Sequence, residues 1–227
     1  MRRLLFLLVS TGVAYAATAQ LNSRIGYTLG LYDTPAYDAL VERYNTDFPF
    51  LDGLDGRNVV NGLTVGLRYR LGPTSVEGSW RNQFTSSRSL GDLPAGGEFE
   101  RRVKTRFNTY SAGLAAHLGS FALGGSIDYS TFNVRTRLTG NDNPLDLLDG
   151  ERSWGHTLFV SWEPGLSGEV LSLAIRPYWQ AVWSELDFAP LGAELEPDRF
   201  ADMPPSTYRD DFGHFGVLFI FYNGRHD

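Results

Sequence analysis

Histidine is the side chain best suited to proton transfer near neutral pH, and the 227-residue chain has four: His117, His156, His214 and His226. A histidine acting as a base needs a nucleophile or an acid beside it. Ser153 lies near His156 in sequence, and Asp210 and Asp211 lie near His214. Neither histidine stands in a His-x-Ser pattern, because Thr157 and Leu158 follow the first and Phe215 and Gly216 the second. His117 adjoins a turn, and His226 falls in the last residues of the chain. These histidines read as interfacial side chains, and no catalytic residue is assigned. The acids Asp142, Asp146, Asp149 and Glu151 suggest calcium but miss the spacing of an EF-hand. They read as a polar surface loop, with no metal or cofactor expected.

A second polar set is Arg68, Arg70, Glu77, Arg81, Asp128, Glu163 and Arg176. Its meaning depends on the elements that carry it. From Val59 to Leu71 the odd positions are mainly apolar (Leu63, Val65, Leu67, Tyr69), while the even ones are mainly small or charged (Gly62, Thr64, Gly66, Arg68, Arg70). This period of two is that of a β-strand. Seven further segments alternate in the same way: around residues 24–31, 75–84, 110–118, 121–130, 154–163, 171–184 and 215–222. Every member of the charged set lies on the polar face. In a soluble sandwich that face would meet water. In a closed eight-stranded barrel it would point into an interior only wide enough for side chains to fill. There the charges must pair, and both signs are present for a lumen network.

The connections favour the second solvent. Gly72-Pro73-Thr74, Gly119-Ser120 and the stretch 164–168 are tight turns. The other four links are long, at about residues 33–57, 85–101, 139–153 and 189–211. Short and long links alternate, as in transmembrane barrels with periplasmic turns and extracellular loops. Trp80, Trp154, Trp162, Trp179 and Trp183 all fall on the apolar face of their strands. Trp154 and Trp162 are about 26 Å apart along one strand, which a tilt near 40° reduces to about 20 Å of height. That separation suits aromatics at the two interfaces of one bilayer.

The N-terminus agrees with export. Arg2 and Arg3 precede the apolar run from Leu4 to Val13, and Ala14-Tyr15-Ala16 and Ala17-Thr18-Ala19 offer cleavage sites. Residues 1–19 are expected to be a signal peptide and residues 20–227 the barrel. Without Arg2 and Arg3, the twenty Lys and Arg residues fall to eighteen against twenty-six acids, a net charge of −8 that disfavours nucleic acid as a partner. The chain contains no cysteine, so no disulfide framework supports it. In the first long link, Thr34 can cap a helix and Pro35 suits its first position. Tyr37, Leu40, Val41 and Tyr44 then recur at helical spacing. Phe48, Phe50 and Phe188 could line an entrance for a hydrophobic solute or anchor at the interface.

With eight strands, three short turns, four long links and a signal peptide, the chain resembles the small outer-membrane barrels of the OmpA-domain, OmpX and OmpW kind. The final strand, from Gly213 to Tyr222, resembles the aromatic-rich segment by which barrel-assembly machinery recognises such proteins, although residues 223–227 follow it. The resemblance implies an all-β, eight-stranded antiparallel up-and-down transmembrane barrel in the outer membrane of a Gram-negative cell envelope. The partners it implies are outer-membrane lipid, lipopolysaccharide and the assembly machinery, with the barrel a monomer. The expected role is structural or a surface interaction, non-enzymatic, with a lumen filled by charged side chains. A porin-like narrow transporter of small hydrophobic molecules and a lipid-A-modifying enzyme are the alternatives.

Overall fold

The computed structural model describes residues 20–56, 59–92, 96–139, 145–164, 171–195 and 208–223, and not the side chains of 145–150. The signal segment, most of the 164–168 turn and His226 lie outside these residues. Eight long strands form the wall: β1 (Gln20–Tyr32), β2 (Val59–Leu71), β3 (Thr74–Asp92), β4 (Glu98–Leu118), β5 (Phe121–Leu138), β6 (Leu145–Trp162), β7 (Leu171–Val182) and β8 (His214–Asn223). Each pairs antiparallel with its sequence neighbour, and β8 pairs with β1, so that the ring closes. Closure leaves no unpaired edge in the part of the wall that all eight strands share, the condition for a sheet to cross hydrocarbon.

The register fixes the geometry. Following hydrogen-bonded partners around the ring, Gln20 pairs with Arg70, Arg70 with Ser75, Ser75 with Ala115 and Ala115 with Gly124. Gly124 then pairs with Phe159, Phe159 with Tyr178, Tyr178 with Gly216 and Gly216 with Gly30. The circuit leaves β1 at residue 20 and returns at residue 30. That ten-residue stagger over eight strands sets a tilt of about 40°.

At one end, β2 joins β3 and β4 joins β5 through Gly72 and Gly119, whose φ angles of 56° and 62° lie in the left-handed region that a side chain disfavours. The other end corrects the expected loops. The links 85–101 and 139–153 are not long loops, since β3 runs on to Asp92 and β4 starts at Glu98, while β5 reaches Leu138 and β6 starts at Leu145. The acidic stretch 141–151 therefore lies partly in β6, with most of its side chains outside the described set. The links from 33 and from 189 do fold above the barrel. They supply helix α1 (Pro35–Asp47) and the short, seven-residue helix α2 (Ala189–Leu195). Two short ladders brace them: Leu51–Asp52 on the top of β3, and Leu186–Asp187 against Arg209–Asp210.

Candidate functional site

The wall has two faces of opposite character in its turn-side half. Outward point Ile25, Leu63, Val65, Leu67, Leu114, Leu123, Ile127, Leu158, Val160 and Phe219, all well exposed. An uninterrupted apolar surface of this kind must be covered, and here it encircles the molecule. Trp80, Tyr110, Tyr129 and Trp154 stand side by side across β3 to β6. Trp183 extends the row, its N–H donating to the Trp154 carbonyl at 2.8 Å. Tyr129 and Trp154 are in ring contact, with centroids 5.2 Å apart. Trp162 lies at the turn end of β6, and Trp179 packs by Phe215.

The inward face is polar. Glu77 sits between two guanidinium groups, accepting from Arg24 at 2.5 Å and from Arg176 at 2.6 and 2.9 Å. Arg176 also donates to the Tyr222 hydroxyl at 2.9 Å and lies 4.0 Å over the Phe159 ring. Arg68 bonds Glu163 at 2.8 Å and covers the Tyr222 ring at 3.6 Å. Arg81 bonds Gln180 and faces the Tyr178 ring, while Asp128 accepts from the hydroxyls of Ser126 and Thr157. Glu77 thus joins strands β1, β3 and β7, and Arg68 joins β2 to the end of β6.

Of the charges singled out in the sequence, only Arg70 is not buried. It lies near the turns, its Nε donating to the Gly72 carbonyl at 3.2 Å. Arg24 was missed as a charge, although it shares the inward phase of Gly26 and Thr28 on β1. A cavity of about 30 Å³ remains among Arg24, Glu77, Arg81 and Arg176.

The histidines separate by face. His156 points outward, where its Nδ1 accepts from Trp183 Nε1 at 3.0 Å and its ring meets Trp179 edge-on. Ser153 points inward and bonds Ser184 at 2.7 Å, so the strand's alternation keeps it from His156. His214 is buried, 3.2 Å from the Tyr178 hydroxyl and against the rings of Phe107 and Phe212. His117 does meet a serine, with Ser75 Oγ 2.9 Å from its Nε2, a pairing set by the β3–β4 register and invisible in linear spacing. Among the described residues no carboxylate bonds its other ring nitrogen.

Above the polar lumen the interior becomes apolar. Phe212 packs on Tyr32, Phe107 and Phe132, with ring centroids 4.7, 5.1 and 4.9 Å away. Phe132 in turn meets Phe188 edge-on at 5.9 Å. Tyr37, Leu40, Val41 and Tyr44 of α1 and Leu191 and Leu195 of α2 complete the same buried cluster. Phe188 is therefore cap core and lines no entrance, Phe48 packs at the edge of the cluster, and Phe50 is exposed.

The cap of α1 also differs from the expectation. The Thr34 side chain makes no capping bond; the Asp210 carboxylate accepts from the Ala36 N–H instead, at 3.1 Å. A carboxylate from the last loop thus neutralises the helix end that the first loop leaves open. Burial raises the Asp210 pKa above the usual aspartate value, an effect the Ala36 N–H opposes and the nearby Asp211 charge reinforces.

No protein-family model and no curated protein matches the chain. Among solved structures, it is similar to Ail, the attachment invasion locus protein of Yersinia pestis. The TM-score is 0.45 at 12% identity, over 91% of this chain and 97% of that one. Neisserial surface protein A gives a TM-score of 0.43 at 8% identity, covering 92% and 99% of the two chains. The outer membrane protease OmpT of Escherichia coli gives 0.35 at 11%, covering 90% and 95%. With its ladder closed and an apolar exterior bearing an aromatic row, the chain is an eight-stranded antiparallel β-barrel built to cross a membrane.

Proposed function

We propose that this is a monomeric, non-enzymatic barrel with a closed lumen, acting on the outside of the cell through its exposed upper surface. The observation that carries the reading is the Arg24–Glu77–Arg176 bridge, which ties three strands across the lumen beneath a packed apolar cap. A solute would have to displace buried ion pairs, which are costly to break singly, and then a close-packed aromatic cluster. Lipopolysaccharide and other outer-membrane lipids would surround the apolar wall. Residues 1–19 would direct export, and the assembly machinery would receive the aromatic β8. The His156 environment supports an interfacial role, since its only described polar contact is with a tryptophan.

Purified protein in planar bilayers tests the reading. The expected outcome is no stable conductance in the folded, heat-modifiable form; discrete, long-lived channels would overturn the closed lumen. A lipid A mass profile unchanged by expression of the protein is the expected result for a barrel that does no lipid chemistry.

A further inference from the structure

The polar lumen carries one more cation than its acids match. Among the described residues its buried guanidinium groups are Arg24, Arg68, Arg81 and Arg176, and its buried carboxylates are Glu77, Asp128 and Glu163, four against three. Arg24 and Arg176 share Glu77, and Arg68 takes Glu163. Arg81 bonds no carboxylate. One of its Nη atoms donates to the Gln180 amide oxygen, its guanidinium faces the Tyr178 ring at 4.6 Å, and its Nε meets no acceptor. The remaining acid, Asp128, is held by the hydroxyls of Ser126 and Thr157. It stands in the row of Ser111 and Ser79, two strands from Arg81 and closer to the turns. A buried charge without a counter-charge is costly, and here the imbalance gathers around the cavity of about 30 Å³. Arg24, Arg81 and Arg176 all line it, against the single carboxylate of Glu77, which two of them already neutralise. The Nε of each of these three arginines is buried without an acceptor. Ser79 and Ser111, opposed across β3 and β4, bring two hydroxyls to the same lining.

We propose that this cavity binds one small monovalent anion of the chloride class, with Arg81 as its principal partner and Arg24 and Arg176 completing a positive shell. Guanidinium groups only donate hydrogen bonds and hydroxyls can donate, so the lining offers an anion several charge-assisted or neutral donors at once. The confined space selects a single-atom ion over a bulky organic anion. The ion supplies the negative charge that Arg81 lacks and becomes a resident counter-ion of the plug. The proposal rests on the lumen being a closed polar core. Bilayer conductance tests that reading, whereas ion density and ion-dependent stability test the site, so the two failures are distinct.

The test uses the folded full barrel in neutral detergent, with sodium bromide as the probe in crystals and sodium chloride as the probe in solution. Anomalous diffraction from crystals grown in bromide should show a peak inside the lumen, in contact with the Arg81 guanidinium. Urea unfolding is then compared in sodium chloride and sodium gluconate at equal ionic strength, which holds charge screening constant. Chloride should raise the folded-to-unfolded ratio about ten-fold and the rise should saturate, as it does for a ligand that binds the native state alone. In Arg81→Gln the excess cation is gone, and both the lumen peak and the chloride response should disappear. The charge-preserving Arg81→Lys should keep the response, which separates loss of the charge from a folding defect. No bromide peak in the lumen of the parent protein, equal stability in the two salts, or an undiminished chloride response in Arg81→Gln would overturn the proposal.

Discussion

Strands β4 and β5 each have two halves with opposite polarity. In the turn-side half of β4, Tyr110, Leu114 and Leu118 point out while Thr109, Ser111 and His117 point in. In its upper half, Arg102, Lys104 and Arg106 point out while Val103 and Phe107 point in. On β5 the outward residues change from Leu123 and Ile127 to Arg135 and Arg137. The inward ones change from Ser126 and Asp128 to Phe132 and Val134. The backbone ladder continues through the change, and only the solvent differs. Below, lipid wets the outside and the core is held by charge pairing. Above, water wets the outside and the core is held by apolar burial. One sheet thus contains a membrane protein and a water-soluble barrel end to end.

The two cores should fail differently. The largest effect is expected from Glu77→Ala, which strands Arg24 and Arg176 in the lumen and should cost about 5 kcal/mol of barrel stability in urea unfolding. A loss below about 1 kcal/mol would mean that the lumen does not depend on pairing. Phe212→Ala removes the ring at the centre of the upper cluster and should cost about 3 kcal/mol. Its loss should register as protease sensitivity of α1 and the last loop with the heat-modifiable barrel intact. Unfolding of the whole barrel instead would merge the two regions into one cooperative unit. Asp210→Ala should cost about 1 kcal/mol, as loss of a helix cap does, seen as faster hydrogen exchange over α1 alone.

The smallest effect is one of pH, since the folded Asp210 pKa is raised. Its contribution to cap stability is then fully present below the unfolded aspartate value, and it fades as pH rises through the higher folded value. Exchange in α1, corrected for intrinsic rate, should therefore slow modestly on going from pH 7 towards pH 4. In Asp210→Asn that slowing should vanish; its persistence would assign the pH response to another group.

The same inversion of polarity explains what sequence patterning could and could not reach. All eight wall segments are visible as outward apolar residues such as Leu63, Leu114 and Leu158, because lipid demands an apolar outside wherever it touches the wall. Above Phe84, Tyr110 and Ser130 the outward residues turn polar or basic, as at Ser86, Arg88, Arg106, Lys104, Arg135 and Arg137, so the apolar-outward pattern ends there although the strands do not. The α1 segment was recoverable because Pro35, Tyr37, Leu40, Val41 and Tyr44 combine a start signal with helical spacing. Its cap was not, since Asp210 lies 174 positions away in sequence. The Ser75–His117 contact and the facing of Arg102 by Arg88 and Arg137 depend on which residue of one strand faces which residue of another. No local window contains that information.

The four longest strands, β3 to β6, are consecutive around the ring, while β1, β2, β7 and β8 stop lower. The rim is consequently cut on a slant, like the mouth of a quill. A level cylinder offers every neighbour in the plane of a membrane the same profile; this one has a compass bearing. Proteins that crowd beside it meet a tall wall from one quarter and a low rim from the opposite one, so azimuth becomes part of how it is encountered.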